Sequence, residues 1–266
     1  MLIGVYQSQP VFGEVNFNVE QVSNDLPEGT ADLWVLPELF NSGYQFASKE
    51  EVADLAEEIP GGRTCRAMIN LAARLRAVLV FGMAERANKV CYNSAAVVGP
   101  RGFIGFYRKV HLFAEEKKFF EPGDTGFQVF DAGQAKVGVM ICFDWIFPES
   151  ARILALLGAD IICHPSNLVL PYCQKAMVTR SLENAIYTAT ANRLGSEARG
   201  GKKPLTFTGG SQIIGPSGQV LSRLNDREKG WAVAEINVEE ARDKKITDYN
   251  DLLGDRKPEF YGRLCE

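Results

Sequence analysis

Apolar residues along the chain form short continuous runs that alternate with stretches of helical spacing. A continuous run predicts a buried strand, since a strand covered on both faces is apolar at every position. Apolar positions three and four residues apart predict amphipathic helices. The predicted strands are 2–7, 33–36, 78–83, 90–98, 103–107, 137–141, 160–163 and 187–191, and the predicted helices are 14–24, 51–58, 63–76, 148–157 and 174–184.

Strands and helices interleave from one end to the other, and no linker divides the chain. This pattern predicts one domain, residues 1–266, of layered α/β class with a mixed sheet. Residues 95–105 and 211–221 both show a strand, a Gly-Pro-x-Gly turn and a second strand. Proline at the second position and glycine at the fourth suit a type I turn. The two hairpins indicate either an internal pseudo-repeat or two hairpins that share a common turn.

Composition narrows the class of partner. The 266 residues carry a net charge of −4 without a basic cluster, which argues against nucleic acids and acidic membranes. No apolar run approaches the roughly 18 residues of a transmembrane helix. The N-terminal residues 1–5 are apolar but lack a basic region before them, so they predict a first strand rather than a signal peptide.

Cysteine and histidine usage argues against metals and disulfides. The six cysteines include no Cys-x-x-Cys pair, and His111 and His164 are the two histidines. This spacing predicts neither a zinc site nor a disulfide framework, and a reducing cytoplasmic location is expected. We therefore expect no metal.

Three potentially reactive side chains directly follow apolar strands: Glu38, Lys109 and Cys142. In α/β folds, sites assemble at the carboxyl ends of strands. The strand before Cys142 and the helix after it also resemble a nucleophile elbow, in which a sharp turn exposes the reactive atom. Taken singly, each residue has a structural explanation, because buried cysteines are often plain apolar side chains and lysines often extend to solvent. Periodicity alone does not bring the three together.

Three motifs that contain these residues resemble the nitrilase superfamily of carbon–nitrogen hydrolases, and they occur in that family's order. They are Leu-Pro-Glu-Leu-Phe at 36–40, Tyr-Arg-Lys-Val-His-Leu-Phe at 107–113, and Gly-Val-Met-Ile-Cys-Phe-Asp at 138–144 with Phe-Pro-Glu at 147–149. The resemblance runs from Leu2 to about Asn237. It implies an α-β-β-α sandwich that pairs across its helices into homodimers or larger oligomers. The tail from about residue 247 could pack on a partner subunit.

The resemblance also implies the site. It assigns a catalytic triad to Glu38, Lys109 and Cys142, and a second glutamate to Glu116, for which the adjacent Glu115 is a poorer match. In the family, the positions of His111, Arg180 and Glu183 look structural. We expect Arg180 and Glu183 to form a packed ion pair.

The chemistry explains why these residue types occur together. A free thiol is mostly protonated at neutral pH, so Glu38 is expected to remove its proton, and Lys109 to stabilise the thiolate and give Cys142 a low pKa. Lys109 and the backbone N–H of Phe143 would form the oxyanion hole. Glu116 would keep Lys109 charged. Acyl transfer to Cys142 and hydrolysis of the thioester need no cofactor.

The leading functional hypothesis is an amidase that acts on a small carboxamide. Cys142-Phe143-Asp144 follows the amidase style, but with Trp145 it also resembles aliphatic nitrilases, so nitrile hydrolysis is the alternative. A hypothesis of a different class is a non-catalytic member that binds a ligand or partner.

Substrate-binding candidates follow from proximity to the motifs alone. They are Tyr44, Phe113, Trp145 and Asn167. The same residues could instead be three core aromatics and one turn residue.

Overall fold

The computed structural model describes the backbone of residues 1–266 and every side chain except that of Cys265. Its helices are α1 Val15–Asp25, α2 Lys49–Leu55, α3 Arg63–Leu75, α4 Glu116–Phe119, α5 Pro148–Leu156, α6 Cys173–Leu182 and α7 Val238–Arg242. Its strands are β1 Leu2–Gln7, β2 Leu33–Val35, β3 Val78–Ala87, β4 Val90–Gly99, β5 Gly102–Arg108, β6 Val129–Asp131, β7 Lys136–Val139, β8 Ile161–Pro165, β9 Tyr187–Ala191, β10 Ser196–Glu197, β11 Leu205–Thr206, β12 Gln212–Ile214, β13 Val220–Arg223, β14 Gly230–Glu235, β15 Lys245–Thr247 and β16 Asn250–Asp251.

Two six-stranded sheets form the centre of the molecule. The first has the order β14-β1-β2-β3-β4-β5 and the second the order β13-β12-β9-β8-β7-β6. Side chains from both sheets, among them Val5, Val80, Val139 and Ile161, share one buried cluster between them. Helices α1 and α3 cover the outer face of the first sheet, and α5 and α6 cover the second. The fold is therefore the expected α-β-β-α sandwich.

Alternation along the inner strands explains why their apolar runs are continuous. Leu33 and Val35 point into the cluster between the sheets, whereas Trp34 points toward α1 and α3. On the neighbouring strand β3, Val80 likewise belongs to the cluster between the sheets, whereas Phe81 belongs to the cluster beneath the helices. Since successive side chains of a strand face opposite sides, a strand packed on both faces must be apolar throughout.

All the predicted helices and strands are present, with shifts at their ends. The helix predicted from residue 51 begins at Lys49, because the Ser48 side chain accepts a hydrogen bond from the backbone N–H of Glu51 and caps it. The strand predicted to reach residue 141 ends at Val139, where the chain turns toward Cys142. Among the elements that were not predicted, α4 and β6 have four and three residues and are too short to show a period. The six-residue strand β14 was also not predicted.

The two sheets share one pairing pattern, which favours the pseudo-repeat over a shared turn. In the first sheet β14 pairs antiparallel with β1, β1 to β3 are parallel, and β4 and β5 follow antiparallel. In the second, β6 pairs antiparallel with β7, β7 to β9 are parallel, and β12 and β13 follow antiparallel. The two Gly-Pro-x-Gly hairpins thus occupy equivalent edges.

The tail forms a small hairpin, β15 with β16, followed by two 3-10 turns. Ile246, Tyr249, Phe260 and Leu264 are exposed there. The packing of this tail on a partner subunit stays a prediction. Within the described part of the chain, no helix is long and apolar enough to span a membrane.

Gly82 on β3 lets the segment after β2 lie directly on the sheet. Its N–H donates to the Pro37 carbonyl at 3.1 Å and its carbonyl accepts from Phe40 N–H at 3.1 Å. A Cβ at this position would lie 2.5 Å from the Cα of Glu38. The absence of a side chain at residue 82 is therefore part of what places Glu38.

We expect Gly82→Ala to lower the free energy of unfolding by about 1–3 kcal/mol, since backbone must move to admit the methyl group. Activity should fall as well, because the displaced backbone belongs to Glu38. Gly61→Ala is the control, as its Cβ would meet only Glu58 Oε2 at 3.7 Å. Denaturant melts and turnover measured on both variants check this, and an alanine at 82 that is as stable and active as wild type would contradict it.

Candidate active site

The three side chains singled out by the sequence converge at the carboxyl ends of strands from both sheets. Glu38 follows β2, Lys109 follows β5 and Cys142 follows β7. Glu38 and Lys109 thus come from the first sheet and Cys142 from the second. Asn167, which follows β8, connects the two sides because its Nδ2 donates to the backbone carbonyl of Glu38 at 2.8 Å.

Lys109 lies between two carboxylates in the interior of the protein. Its Nζ donates to Glu38 Oε1 at 2.7 Å and to Glu116 Oε1 and Oε2 at 2.8 and 2.7 Å. The side chains of Lys109 and Glu38 are fully buried. Burial lowers the pKa of Lys109, but the attraction of Glu116 and Glu38 outweighs it and leaves the pKa raised. The lysine therefore stays charged.

The two carboxylate oxygens of Glu38 differ, because one accepts hydrogen bonds and the other accepts none from the described residues. Oε1 accepts from Lys109 and from Asn93 Nδ2, both at 2.7 Å. No donor among the described residues reaches Oε2, which is also buried. Burial raises the pKa of Glu38 to about 7, although Lys109 lowers it. A carboxylate that titrates near neutrality and has a free oxygen can act as a general base.

Cys142 stands at the start of a 3-10 turn, Cys142–Ile146, in a left-handed backbone conformation with φ of 41°. Such a conformation is uncommon for a residue with a side chain, and it is typical of the sharp turn that exposes a nucleophile. The backbone carbonyl of Cys142 accepts from Nε2 of His164 at 2.9 Å. His164 is buried, which lowers its pKa to about 4, so it is a neutral donor at this position.

Asp144 fixes the turn from its other side. Its carboxylate accepts from the backbone N–H of Ile141 at 2.9 Å, from the Tyr107 hydroxyl at 2.9 Å and from the backbone N–H of His111 at 3.2 Å. The ring Nδ1 of His111 lies 2.8 Å from the same carboxylate. His111 thus supports the turn that presents Cys142, in agreement with the structural role expected for it.

The expectation of a low pKa for Cys142 is wrong for the unliganded site. Burial raises its pKa well above the usual value, and the Glu38 carboxylate raises it further against the attraction of Lys109. The sulfur is therefore protonated beside a carboxylate that is poised to accept the proton. Activation would occur by proton transfer to Glu38 during attack, rather than through a preformed thiolate.

The two predicted oxyanion donors differ in availability. The backbone N–H of Phe143 makes no hydrogen bond within the part of the chain described here. The Nζ of Lys109, by contrast, already lies within hydrogen-bond distance of Glu38 Oε1 and of both carboxylate oxygens of Glu116. Phe143 has no competing acceptor, whereas an oxyanion at Lys109 would share the ammonium with two carboxylates.

The geometry selects Glu116 over Glu115. Glu116 is buried and also accepts from the Tyr44 hydroxyl at 2.6 Å and from the backbone N–H of Phe113 at 3.0 Å. Glu115 points outward and pairs with Lys118 at 2.6 Å. Glu115, the poorer match to the family motif, is thus a surface residue.

The four candidate substrate residues line two neighbouring cavities. A small one of about 10 Å³ lies at Cys142 and is lined in part by Phe113, Trp145 and Asn167. A larger one of about 390 Å³ lies at Glu116 and is lined in part by Phe113 and Tyr44. Trp145 also belongs to the core cluster, and Tyr44 also holds Glu116, so both have structural contacts in addition.

Sequence reasoning missed Asn93 and gave no role to His164. Asn93 lies within β4 and carries no strand-end signal, although a polar residue in an apolar strand that is buried on both faces is itself unusual. The predicted Arg180–Glu183 ion pair is present at 3.0 Å. Among the described residues, no cluster of three or more histidine, cysteine or acidic side chains could hold a metal ion.

Comparison with known proteins identifies the family of this chain. Residues 4–246 match the carbon–nitrogen hydrolase family, and the chain belongs to that family, within the nitrilase superfamily. It is 50% identical to a nitrilase of Pyrococcus abyssi, over 98% of this chain and 99% of the relative. It is 34% identical to an N-carbamoylputrescine amidase of Solanum lycopersicum, over 87% of this chain and 83% of the relative.

Solved structures are similar over the whole chain. A carbon–nitrogen hydrolase of Helicobacter pylori G27 superposes with a TM-score of 0.91 at 28% identity, covering 100% of this chain and 98% of the other. An amidase of Nesterenkonia sp. AN1, in a mutant form with acrylamide added to the active-site cysteine, superposes with a TM-score of 0.81 at 26% identity, covering 99% of both chains. This protein is therefore a carbon–nitrogen hydrolase.

Lys109→Arg should lower kcat by at least about two orders of magnitude, comparable to the loss of an oxyanion-hole donor. A guanidinium is planar and larger than an ammonium, so it cannot occupy the same fully buried position between Glu38 and Glu116. Lys118→Arg, the same change in an exposed ion pair, is the control. Steady-state hydrolysis and thermal melts on both variants measure the effect, and a near-wild-type kcat in the first would contradict it.

Proposed function

We propose that this protein hydrolyses the carbon–nitrogen bond of a small carboxamide to a carboxylic acid and ammonia. The proposal rests above all on one observation, the buried Glu38–Lys109–Glu116 cluster beside a cysteine held on a left-handed turn. This arrangement supplies a nucleophile, a base with a free oxygen and a fixed positive charge. These groups can activate a thiol and stabilise the oxyanion of acyl transfer.

The reaction proceeds in two halves. Glu38 takes the thiol proton as the Cys142 sulfur attacks the amide carbon, and the Phe143 N–H stabilises the oxyanion, with Lys109 as second donor. The carbon–nitrogen bond then breaks, the Glu38 proton passes to the leaving nitrogen as ammonia departs, and a thioester remains. Water attacks the thioester carbon as Glu38 accepts its proton. The carbon–sulfur bond then breaks, Glu38 returns the proton to the Cys142 sulfur, and the acid leaves.

Amides are favoured over nitriles by the hydrogen-bonding character of the cavity at Cys142. The Oδ1 atom of Asn167, which lines this cavity, is buried and has no donor among the described residues. An amide NH₂ group can donate to such an acceptor, whereas a nitrile nitrogen has no hydrogen to give. The 50% identical relative named as a nitrilase favours the alternative, nitrile hydrolysis.

The larger cavity favours substrates without positive charge. Its carboxylates are already paired, Glu116 with Lys109 and Glu115 with Lys118 and Lys202. Its remaining walls are largely aromatic and aliphatic, from Tyr44, Phe46, Phe113, Phe119, Phe120 and Leu205, with Gln45 and Lys203 as polar members. A cation buried there would lose its hydration without gaining an ionic partner. We therefore propose an acyl group without positive charge.

The function is tested with amides and nitriles of matched acyl groups. We expect acid and ammonia from the amide, a slower reaction of the nitrile, and an intact-mass adduct that maps to Cys142. Cys142→Ala should abolish turnover and the adduct without lowering the melting temperature. Faster conversion of the nitrile would favour the alternative. No turnover and no adduct on any substrate would favour the non-catalytic hypothesis.

Substrate charge gives a separate prediction. Hexanamide should be hydrolysed with a kcat/KM at least about tenfold above that of 6-aminohexanamide, because an unpaired ammonium is costly in an apolar cavity. The two compounds have similar length, so size does not account for a difference. Steady-state ammonia release measures both, and a preference for the ammonium compound would overturn the cavity assignment.

A further inference from the structure

Asn93 contacts the proposed base although nothing in its position along the chain marks it as functional. It lies in β4, where it is 1% exposed, and its Nδ2 donates to Glu38 Oε1 at 2.7 Å. Its backbone carbonyl accepts from the N–H of Lys109 at 2.9 Å. One residue therefore touches both the carboxylate of the base and the backbone of the lysine.

The orientation of the Asn93 amide follows from its surroundings. A carboxylate accepts hydrogen bonds and cannot donate them, so the NH₂ end of the amide must face Glu38. The other end, Oδ1, is buried and has no donor among the described residues. The bond to Glu38 is thus the one hydrogen bond that the Asn93 side chain makes in the described structure.

Two donors share one oxygen of Glu38 and leave the other free. Lys109, which follows β5, and Asn93, within β4, both donate to Oε1, while Oε2 has no donor in the described structure. We infer that Asn93 is a positioning residue that, together with Lys109, locks the Glu38 carboxylate so that Oε2 is the oxygen that exchanges protons with Cys142. This inference rests on the proposed function of Glu38 as the base.

The same contact contributes to the charge state of the base. The charged and titratable groups that act on Glu38 are Lys109, Glu116, Cys142 and Tyr44. Burial and the Glu116 carboxylate raise the pKa of Glu38, Lys109 and the Asn93 donor lower it, and the balance lies at about 7. Removal of the Asn93 donor destabilises the carboxylate, so the pKa of Glu38 should rise.

Alkylation of Cys142 by iodoacetamide tests this without knowledge of the substrate. The thiol has a raised pKa, so its reaction near neutrality requires ionised Glu38 as the base. We expect the wild-type rate, followed by peptide mass spectrometry, to rise with pH through a midpoint near 7. In Asn93→Ala the midpoint should move up by about one pH unit, as expected for a lost hydrogen bond to a charged group.

A second variant and a matched control keep the test decisive. Asn93→Asp keeps the shape of the side chain and replaces its donor with an acceptor, so its midpoint should lie at least as high as that of the alanine variant. Ser94→Ala removes a hydrogen bond of 2.6 Å to Glu85 from the next buried residue of β4, and its midpoint should match wild type. Thermal melts establish that each variant is folded.

The outcomes separate the inference from the function on which it rests. A wild-type midpoint above 9 would mean that the thiol reacts without Glu38, which would contradict the proposed base. A wild-type midpoint near 7 with folded Asn93 variants within about 0.3 pH units of it would overturn the positioning role alone. An equal shift in Ser94→Ala would show that the effect comes from β4 in general, and would overturn it as well.

Discussion

The ammonium group of Lys109, held between two carboxylates with no access to water, is the interaction on which the rest of the site depends. Removing three charged groups from solvent is costly, and their mutual attraction offsets this cost only if the geometry is good. Three hydrogen bonds of 2.7–2.8 Å provide that geometry. Burial raises the pKa of Glu38, and the second carboxylate of the cluster, Glu116, adds to this, so Glu38 titrates near neutrality although it lies beside a lysine.

The sandwich brings the parts of the site together because the carboxyl ends of strands from both sheets lie at the same edge. Glu38 and Lys109 follow strands of the first sheet, and Cys142 and Asn167 follow parallel strands of the second. Asn167 joins the sides through its bond to the Glu38 carbonyl, and His164 holds the carbonyl of Cys142. Each reactive group is therefore fixed by backbone contacts as well as by its own side chain.

Apolar runs predicted most of the strands because they are local signals. The sandwich and the principal site residues were expected only from the resemblance of three motifs to the nitrilase superfamily. The site's protonation states could not be predicted, since the pKa of Cys142 depends on burial that arises only when the two sheets pack. Asn93 escaped prediction for a related reason. Its partner Glu38 is 55 residues away, and no spacing in the sequence relates the two.

The equivalence of the two sheets has a consequence for the origin of the site. Each half supplies a helix-covered sheet with the same pairing order, yet the proposed base, the lysine and the second glutamate all lie on the first half and the proposed nucleophile on the second. Neither half on its own contains a reactive set. If the fold arose by duplication, the two halves at first carried the same side chains. The base and the nucleophile could lie on opposite halves only after the halves had diverged. The catalytic asymmetry is then younger than the architecture that supports it.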